Sequence, residues 1–292
     1  MPDMATTRTF DGTSGVGDLV RAALPAIPVL GSLPGIAKVG GYDGFVFDRP
    51  PVTITREMVE PFAEVCGFEP KDVVPLPYPH MLSFPLQLKA LADRSFPAPA
   101  MGMVHLDNSI SQHRPIAFGE TLAVEMSVGE GVPHPAGTIF LFKTAGTIDG
   151  ELVWEETSAY LSRGRRNPDA EWPDTYERVP AGPVTWRLPA NLGRKYGAVS
   201  GDINPIHLTA PTAKALGFKR QIAHGYWTMA RSVAAIENRL PDAVKVDASF
   251  RKPTFLPSTV AFGCRPTAEG QAFSLTKAGS DTIHLLGRTT AL

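Results

Sequence analysis

Four long runs of β-branched and aromatic residues, 104–116, 121–129, 138–148 and 152–162, follow one another with turn residues between them. That pattern predicts antiparallel strands. Ahead of them, 52–55 is strand-like, 57–66 reads as a short helix despite Pro61, 73–79 is a proline-rich loop, and 82–92 has apolar residues at helical spacing. A similar order returns later in the chain. From Gly225 onward Tyr226, Met229, Val233, Ile236 and Leu240 recur at spacings of three and four, which predicts one long helix over 225–240 with a continuous apolar stripe, stopped by Pro241. Strands are then predicted over 244–250, 258–264, 272–277 and 282–290.

Two local alignments turn this recurrence into a repeat. His113-Arg-Pro-Ile-Ala-Phe-Gly-Glu-Thr-Leu122 matches Arg251-Lys-Pro-Thr-Phe-Leu-Pro-Ser-Thr-Val260, and Phe62-Ala-Glu-Val-Cys-Gly-Phe68 matches Tyr196-Gly-Ala-Val-Ser-Gly-Asp202. Residues 166–183 carry four prolines and little periodicity, so they read as a linker. The expected organisation is an N-terminal apolar arm (1–45), a first unit (46–165), the linker (166–183) and a second unit (184–292). Each unit is a sheet wrapped around a long helix, an α+β class.

Composition narrows the class without changing this picture. At 292 residues the chain can bury a proper core, and 43% apolar with 20% charged residues is ordinary for a globular protein. With 28 Lys plus Arg against 29 Asp plus Glu, nothing draws the whole chain to nucleic acid. Cys66 and Cys264 lack metal-ligand spacing and are too few for a disulfide framework, which suits a reducing cytoplasm. Between Arg21 and Lys38 lie 16 uncharged residues broken by Pro25, Pro28 and Pro34. A bilayer span needs roughly 20 apolar residues, so no integral membrane segment is expected there.

The stretch from Tyr196 to Ala213, Tyr-Gly-Ala-Val-Ser-Gly-Asp-Ile-Asn-Pro-Ile-His-Leu-Thr-Ala-Pro-Thr-Ala, carries the chemistry. Gly201, Asn204 and Pro205 favour tight turns, so the segment folds back on itself. Such a loop can bring the Asp202 carboxylate and the His207 imidazole together, with Ser200 and Asn204 as hydrogen-bonding neighbours. An acid and a base held on one turn are what proton transfer needs. For the short turn alone, simple loop capping by Asp202 and an exposed His207 explain the residues as well.

The whole string tips that balance. Tyr196, Val199, Ser200, Gly201, Asp202, Asn204, Pro205, Ile206, His207 and Ala213 resemble, at its spacing, the hydratase 2 signature of the MaoC-like family of (R)-specific enoyl-thioester hydratases and 3-hydroxyacyl-thioester dehydratases. A second matching piece, Gly217-Phe218 and then Ile222-Ala223-His224-Gly225, follows in register. The resemblance implies a double hotdog fold, reversible dehydration of (3R)-hydroxyacyl thioesters to trans-2-enoyl thioesters, and a substrate carried on coenzyme A or acyl carrier protein. No other cofactor and no metal are implied. Phe68 stands where the second copy has Asp202, so the first copy is expected to be non-catalytic and to shape a pocket for the apolar end of the substrate, a medium to long fatty acyl group.

In the mechanism that follows, His207 takes a proton from the α carbon and Asp202 protonates the departing β hydroxyl; hydration reverses both transfers. His224-Gly225 opens the long helix, where unpaired backbone N–H groups gather, so Gly225 is the expected carbonyl-binding position. A tight helix–strand contact explains Gly225 equally well. Ser200, Asn204, Tyr196 and His224 are expected to support the pair. Lys219-Arg220 and Arg251-Lys252 are candidates for the carrier's phosphates. His80, His105, His113, His134 and His284 are expected in surface or satisfied core roles. The fold class also hosts acyl-thioester hydrolases, and a non-catalytic acyl-binding protein is the rival from another class. Two fused units make either a monomeric pseudo-dimer or a homodimer.

Overall fold

The structure, a computed structural model, describes residues 7–10, 42–100, 102–164, 166–173 and 176–292. Most of the expected N-terminal arm lies outside the described residues. Contacts divide the chain into two compact units that interleave along the sequence. One holds residues 1–53, 79–106 and 121–174; the other holds 54–78, 107–120 and 175–292. The linear division expected at the linker therefore does not match the packing: two segments of the first copy belong with the second half.

In the first unit, strands β2 (Phe45–Thr53), β4 (Thr121–Val128), β6 (Gly137–Ile148) and β7 (Glu151–Arg163) pair antiparallel in the order β2-β4-β6-β7. A short β5 (Val132–His134) adds to β6, and β1 (Thr7–Thr9) pairs with β2 in parallel. Helix α2 (His80–Ala92) packs on β4 and β2. Its buried side chains run round most of its circumference, from Leu82 and Phe84 to Leu86, Leu88, Ala90 and Leu91, as a helix enclosed by a sheet requires. Phe96 packs against Phe140 and Phe142 at its far end.

The second unit is built on β3 (Val104–Gln112, paired from Asp107 onward), β9 (Val244–Phe250), β12 (Ile283–Ala291), β11 (Gly270–Lys277), β10 (Ser258–Pro266) and β8 (Val184–Leu188), antiparallel in that order. Its central helix is α6 (Gly225–Ala234), against β11 and β12. The helix is shorter than 225–240: after Ala234 the chain tightens into a 3₁₀ turn at Glu237–Arg239. Val233 and Ile236 remain buried at a spacing of three, which suits that tighter winding.

The repeat has a physical counterpart within this second unit. Helix α1 (Arg56–Cys66) ends at Gly67 with φ +74°, and α3 (Leu192–Ser200) ends at the aligned Gly201 with φ +75°. Both are left-handed helix ends that favour glycine. Val73 bridges Ala117, and Ile222 bridges Phe255, which is the residue aligned with Ala117. Phe68, the counterpart of Asp202, is a buried core ring stacked on Phe62.

Helix α6 also terminates α1. Carbonyls in a helix's last turn have no intrahelical donor. Here Trp227 Nε1–H donates to Val65 O at 2.8 Å, and Arg231 donates to Gly67 O at 3.0 Å while lying over the Trp186 ring. Tyr226 adds an O–H bond to Pro77 O at 2.8 Å. Among the described residues no helix is long and apolar enough to cross a membrane. The Trp227→Phe variant keeps an aromatic ring but leaves Val65 O without its donor; its unfolding free energy in urea is expected to fall by about 1–2 kcal/mol.

Candidate active site

The predicted loop is two helices joined by a tight turn. Tyr196 and Ser200 lie on the last turns of α3, not in a loop, and Gly201 stops that helix. Pro205 then starts the one-turn helix α4 (Pro205–Leu208), and α5 (Ala210–Ala215) follows with a Thr209–Thr212 capping box. Asp202 sits in the turn and His207 on α4. Their side chains meet: His207 Nε2 is 4.0 Å from Asp202 Oδ2.

Two glycines make the meeting possible. A Cβ on Gly193 would fall 2.0 Å from His207 O, and one on Gly197 would fall 2.8 Å from Asp202 O. These positions, four apart on α3, form one bare face against which the main chain at both functional residues is pressed. Sequence reading passed over them, although glycine twice at helical spacing was the available signal.

Hydrogen bonds then aim the pair. The Asn204 N–H donates to Asp202 Oδ1 at 3.1 Å, and the Asp202 N–H donates to Ser200 Oγ at 3.2 Å. Asn204's own side chain accepts from the Ile206 N–H and caps α4, so its hold on Asp202 is through its backbone. His207 Nδ1 lies 2.8 Å from Ile222 O. A carbonyl only accepts, so Nδ1 carries the proton and Nε2, the atom facing Asp202, keeps its lone pair.

His224, the residue before α6, is the third member of the site. Its ring stacks on His207 with centroids 3.6 Å apart and planes 24° apart. Its Nε2–H donates to Asp202 O at 2.9 Å and lies 3.7 Å from Asp202 Oδ2. Tyr196 packs against its ring at 4.8 Å, and Phe62 lies beyond Tyr196. His207 and His224 are 7% and 3% exposed, whereas the Asp202 side chain keeps 25% of its surface open. Burial lowers the pKa of His207, against the opposing pull of the Asp202 carboxylate and the Ile222 carbonyl. His224 is pushed down to about 3, chiefly by burial and then by His207. Both imidazoles are neutral near pH 7.

Asp202, His207 and His224 also bring potential metal-ligand atoms within 4.8 Å of one another. The geometry argues against an ion: ligand lone pairs lie in the ring plane, and two rings stacked 24° apart do not point theirs at one centre. His224 Nε2 is moreover kept protonated by its carbonyl partner.

At Gly225 an added Cβ would touch the Phe250 ring at 3.2 Å, so the glycine allows close helix–strand packing as well as opening the helix. The four basic candidates do not form one cluster. Ala223 N–H donates to Thr254 O and Leu256 N–H to Gln221 O, an antiparallel pairing that Lys219 and Arg220 enter at one end and Arg251 and Lys252 at the other. Arg220 lies over Phe255. Of the remaining histidines, His80 is buried and paired with Glu156, His105 stacks on Tyr160, His134 accepts from the Ala136 N–H, His284 donates to Lys252 O, and His113 is exposed.

A sheet-wrapped helix met at its first turn by an acid–base loop defines a hotdog protein of the hydratase type. Residues 173–282 match the MaoC like domain. Over 249 residues the chain is 33% identical to 3-hydroxyacyl-thioester dehydratase X of Mycobacterium tuberculosis, covering 84% of this chain and 87% of that protein. The crystal structure of HtdX from the same organism is similar with a TM-score of 0.75 and 30% identity, over 85% of this chain and 100% of that one. A further M. tuberculosis protein described as a double hotdog shares the fold, with a TM-score of 0.51 and 15% identity over 86% of this chain and 96% of that one. The chain belongs to the MaoC-like dehydratases, a hydro-lyase family, and its fold is the double hotdog.

Two predictions follow from the packing and burial of this site. Gly193→Ala forces a main-chain shift at His207, so it should cost about 1–3 kcal/mol in urea unfolding and lower turnover with it. The second concerns pH. Both imidazoles have folded pKa values below the ordinary 6.5, so the unfolded chain binds protons first as pH falls. Stability is full above about 6.5 and declines toward the folded values. The urea midpoint should fall from pH 7 to pH 5, and less steeply in His224→Gln.

Proposed function

We propose that the protein catalyses the reversible dehydration of (3R)-hydroxyacyl thioesters to trans-2-enoyl thioesters, carried on coenzyme A or acyl carrier protein, in fatty acid or related lipid metabolism. The observation that carries this is the His207 tautomer: a neutral, buried imidazole with a bare Nε2 beside the more exposed Asp202 carboxylate. In dehydration His207 Nε2 takes the α proton. Asp202 passes a proton to the β hydroxyl, which leaves as water, and the proton taken up by His207 restores it. Hydration runs the same transfers backward. The backbone N–H groups at the start of α6, from Gly225, are placed by this reading under the thioester carbonyl, where they stabilise the enolate. The kinship with a named 3-hydroxyacyl-thioester dehydratase supports the substrate class.

Arg251 and Lys252, the basic pair at the His224 end of the bridge, are the better placed of the candidates for the carrier's phosphates. Lys219 and Arg220 would contact it from the other end. The two cysteines are unpaired, which supports a reducing, cytoplasmic setting.

The expected outcome is that the full chain changes the absorbance of crotonyl-CoA or a longer trans-2-enoyl thioester on hydration, and that Asp202→Asn and His207→Ala each lower kcat by about 100- to 10,000-fold with the fold intact by circular dichroism. Turnover that survives both substitutions, or thiol release in place of hydration, would remove the assignment.

A further inference from the structure

His224 occupies the N-cap of α6, yet its side chain makes no cap. Ser, Thr, Asp and Asn are the usual residues there because their side chains turn back to the helix's first N–H groups. This imidazole turns away from the helix instead. Its Nε2–H reaches the main-chain carbonyl of Asp202, 22 positions earlier, at 2.9 Å, and one face of its ring covers His207. Tyr196 closes against it, and Nδ1, on the opposite side of the ring from Nε2, is buried without a hydrogen-bond partner among the described residues.

A buried nitrogen left unpaired has a cost that packing alone would avoid, since a phenyl ring would fill the same space without it. What the imidazole adds over a phenyl ring is the bond from Nε2. That bond ties the turn carrying Asp202 to the N-cap of the central helix, while the stacked ring lies against His207. The ring is also uncharged, so it neither competes with His207 for a proton nor repels the imidazolium that forms during turnover.

We propose that His224 is a positioning residue of the dehydratase reaction: through its Nε2–H it pins the Asp202 main chain to the start of α6, so that carboxylate and imidazole stay set for proton transfer. This rests on the function proposed above. A role confined to packing predicts something different, because it needs the ring and not the donor.

Three substitutions in the full chain separate the two. His224→Gln places an amide N–H near the position of Nε2; His224→Asn is too short to do so; His224→Phe keeps the ring and loses the donor. With a trans-2-enoyl thioester as substrate, Gln should hold kcat within about 5-fold of wild type. Asn and Phe should lose about 10- to 100-fold in kcat while KM changes by less than about 3-fold, because misplaced reacting groups slow the chemical step more than binding. Circular dichroism checks that each variant is folded, and the Gln–Asn comparison stands even if Phe does not fold. A Phe or Asn variant with wild-type kcat, or a Gln variant as impaired as Asn, overturns the inference and leaves the dehydratase function in place. A wild-type chain without turnover removes that function and this role together.

Discussion

The hydrogen bond from His207 Nδ1 to the Ile222 carbonyl decides which nitrogen of the imidazole is free to accept a proton, and the rest of the site is arranged around that choice. Ile222 belongs to the segment that bridges Phe255 and leads straight into α6. The base is therefore oriented by the same stretch of chain that delivers the helix's unpaired amides. Burial keeps the ring neutral, and the carboxylate beside it stays partly in solvent, so the two groups differ in environment although they lie 4.0 Å apart.

How much of this was legible in the sequence depends on whether the determining contact is local. The eight strands with strong β-branched and aromatic content were readable. β2 was seen only at its end, because Asp48, Arg49, Pro50 and Pro51 interrupt its run, and β8 was missed because only Leu188 of its five residues is buried. The helix after Gly225 was readable in its position but not its end, since positions three apart suit an α-helix and a 3₁₀ turn alike. The Asp202–His207 loop was readable from motif spacing. His224 was readable as a neighbour of the pair from its motif position, but its bond to the Asp202 carbonyl was not, because that partner is main chain and 22 positions away. Gly193 and Gly197 act by having no side chain, and an absence leaves a faint mark on any pattern of hydrophobic and polar residues.

The two copies have diverged in chemistry while keeping their joints. Gly67 and Gly201 still close α1 and α3 with the same backbone angle, and Val73–Ala117 and Ile222–Phe255 still bridge at equivalent points. Yet Phe68, at the position aligned with Asp202, is a core ring. The ring sequence Phe68, Phe62, Tyr196, His224, His207 runs without a break from the degenerate motif to the functional one. The ring at the first copy's aligned position thus stands at the far end of that chain of rings from His207.

The capping of α1 by α6 bears on how such a chain can evolve. A polypeptide starting at residue 184 would lose the acceptors of Trp227, Arg231 and Tyr226, all supplied from 65–77. Gene fission there would yield a fragment dependent on a second polypeptide bringing the same carbonyls. In the single chain those carbonyls arrive on the same polypeptide, so the contacts form intramolecularly. The half that carries Asp202 and His207 is thus not a portable module, and recombination that shuffles it alone should be selected against.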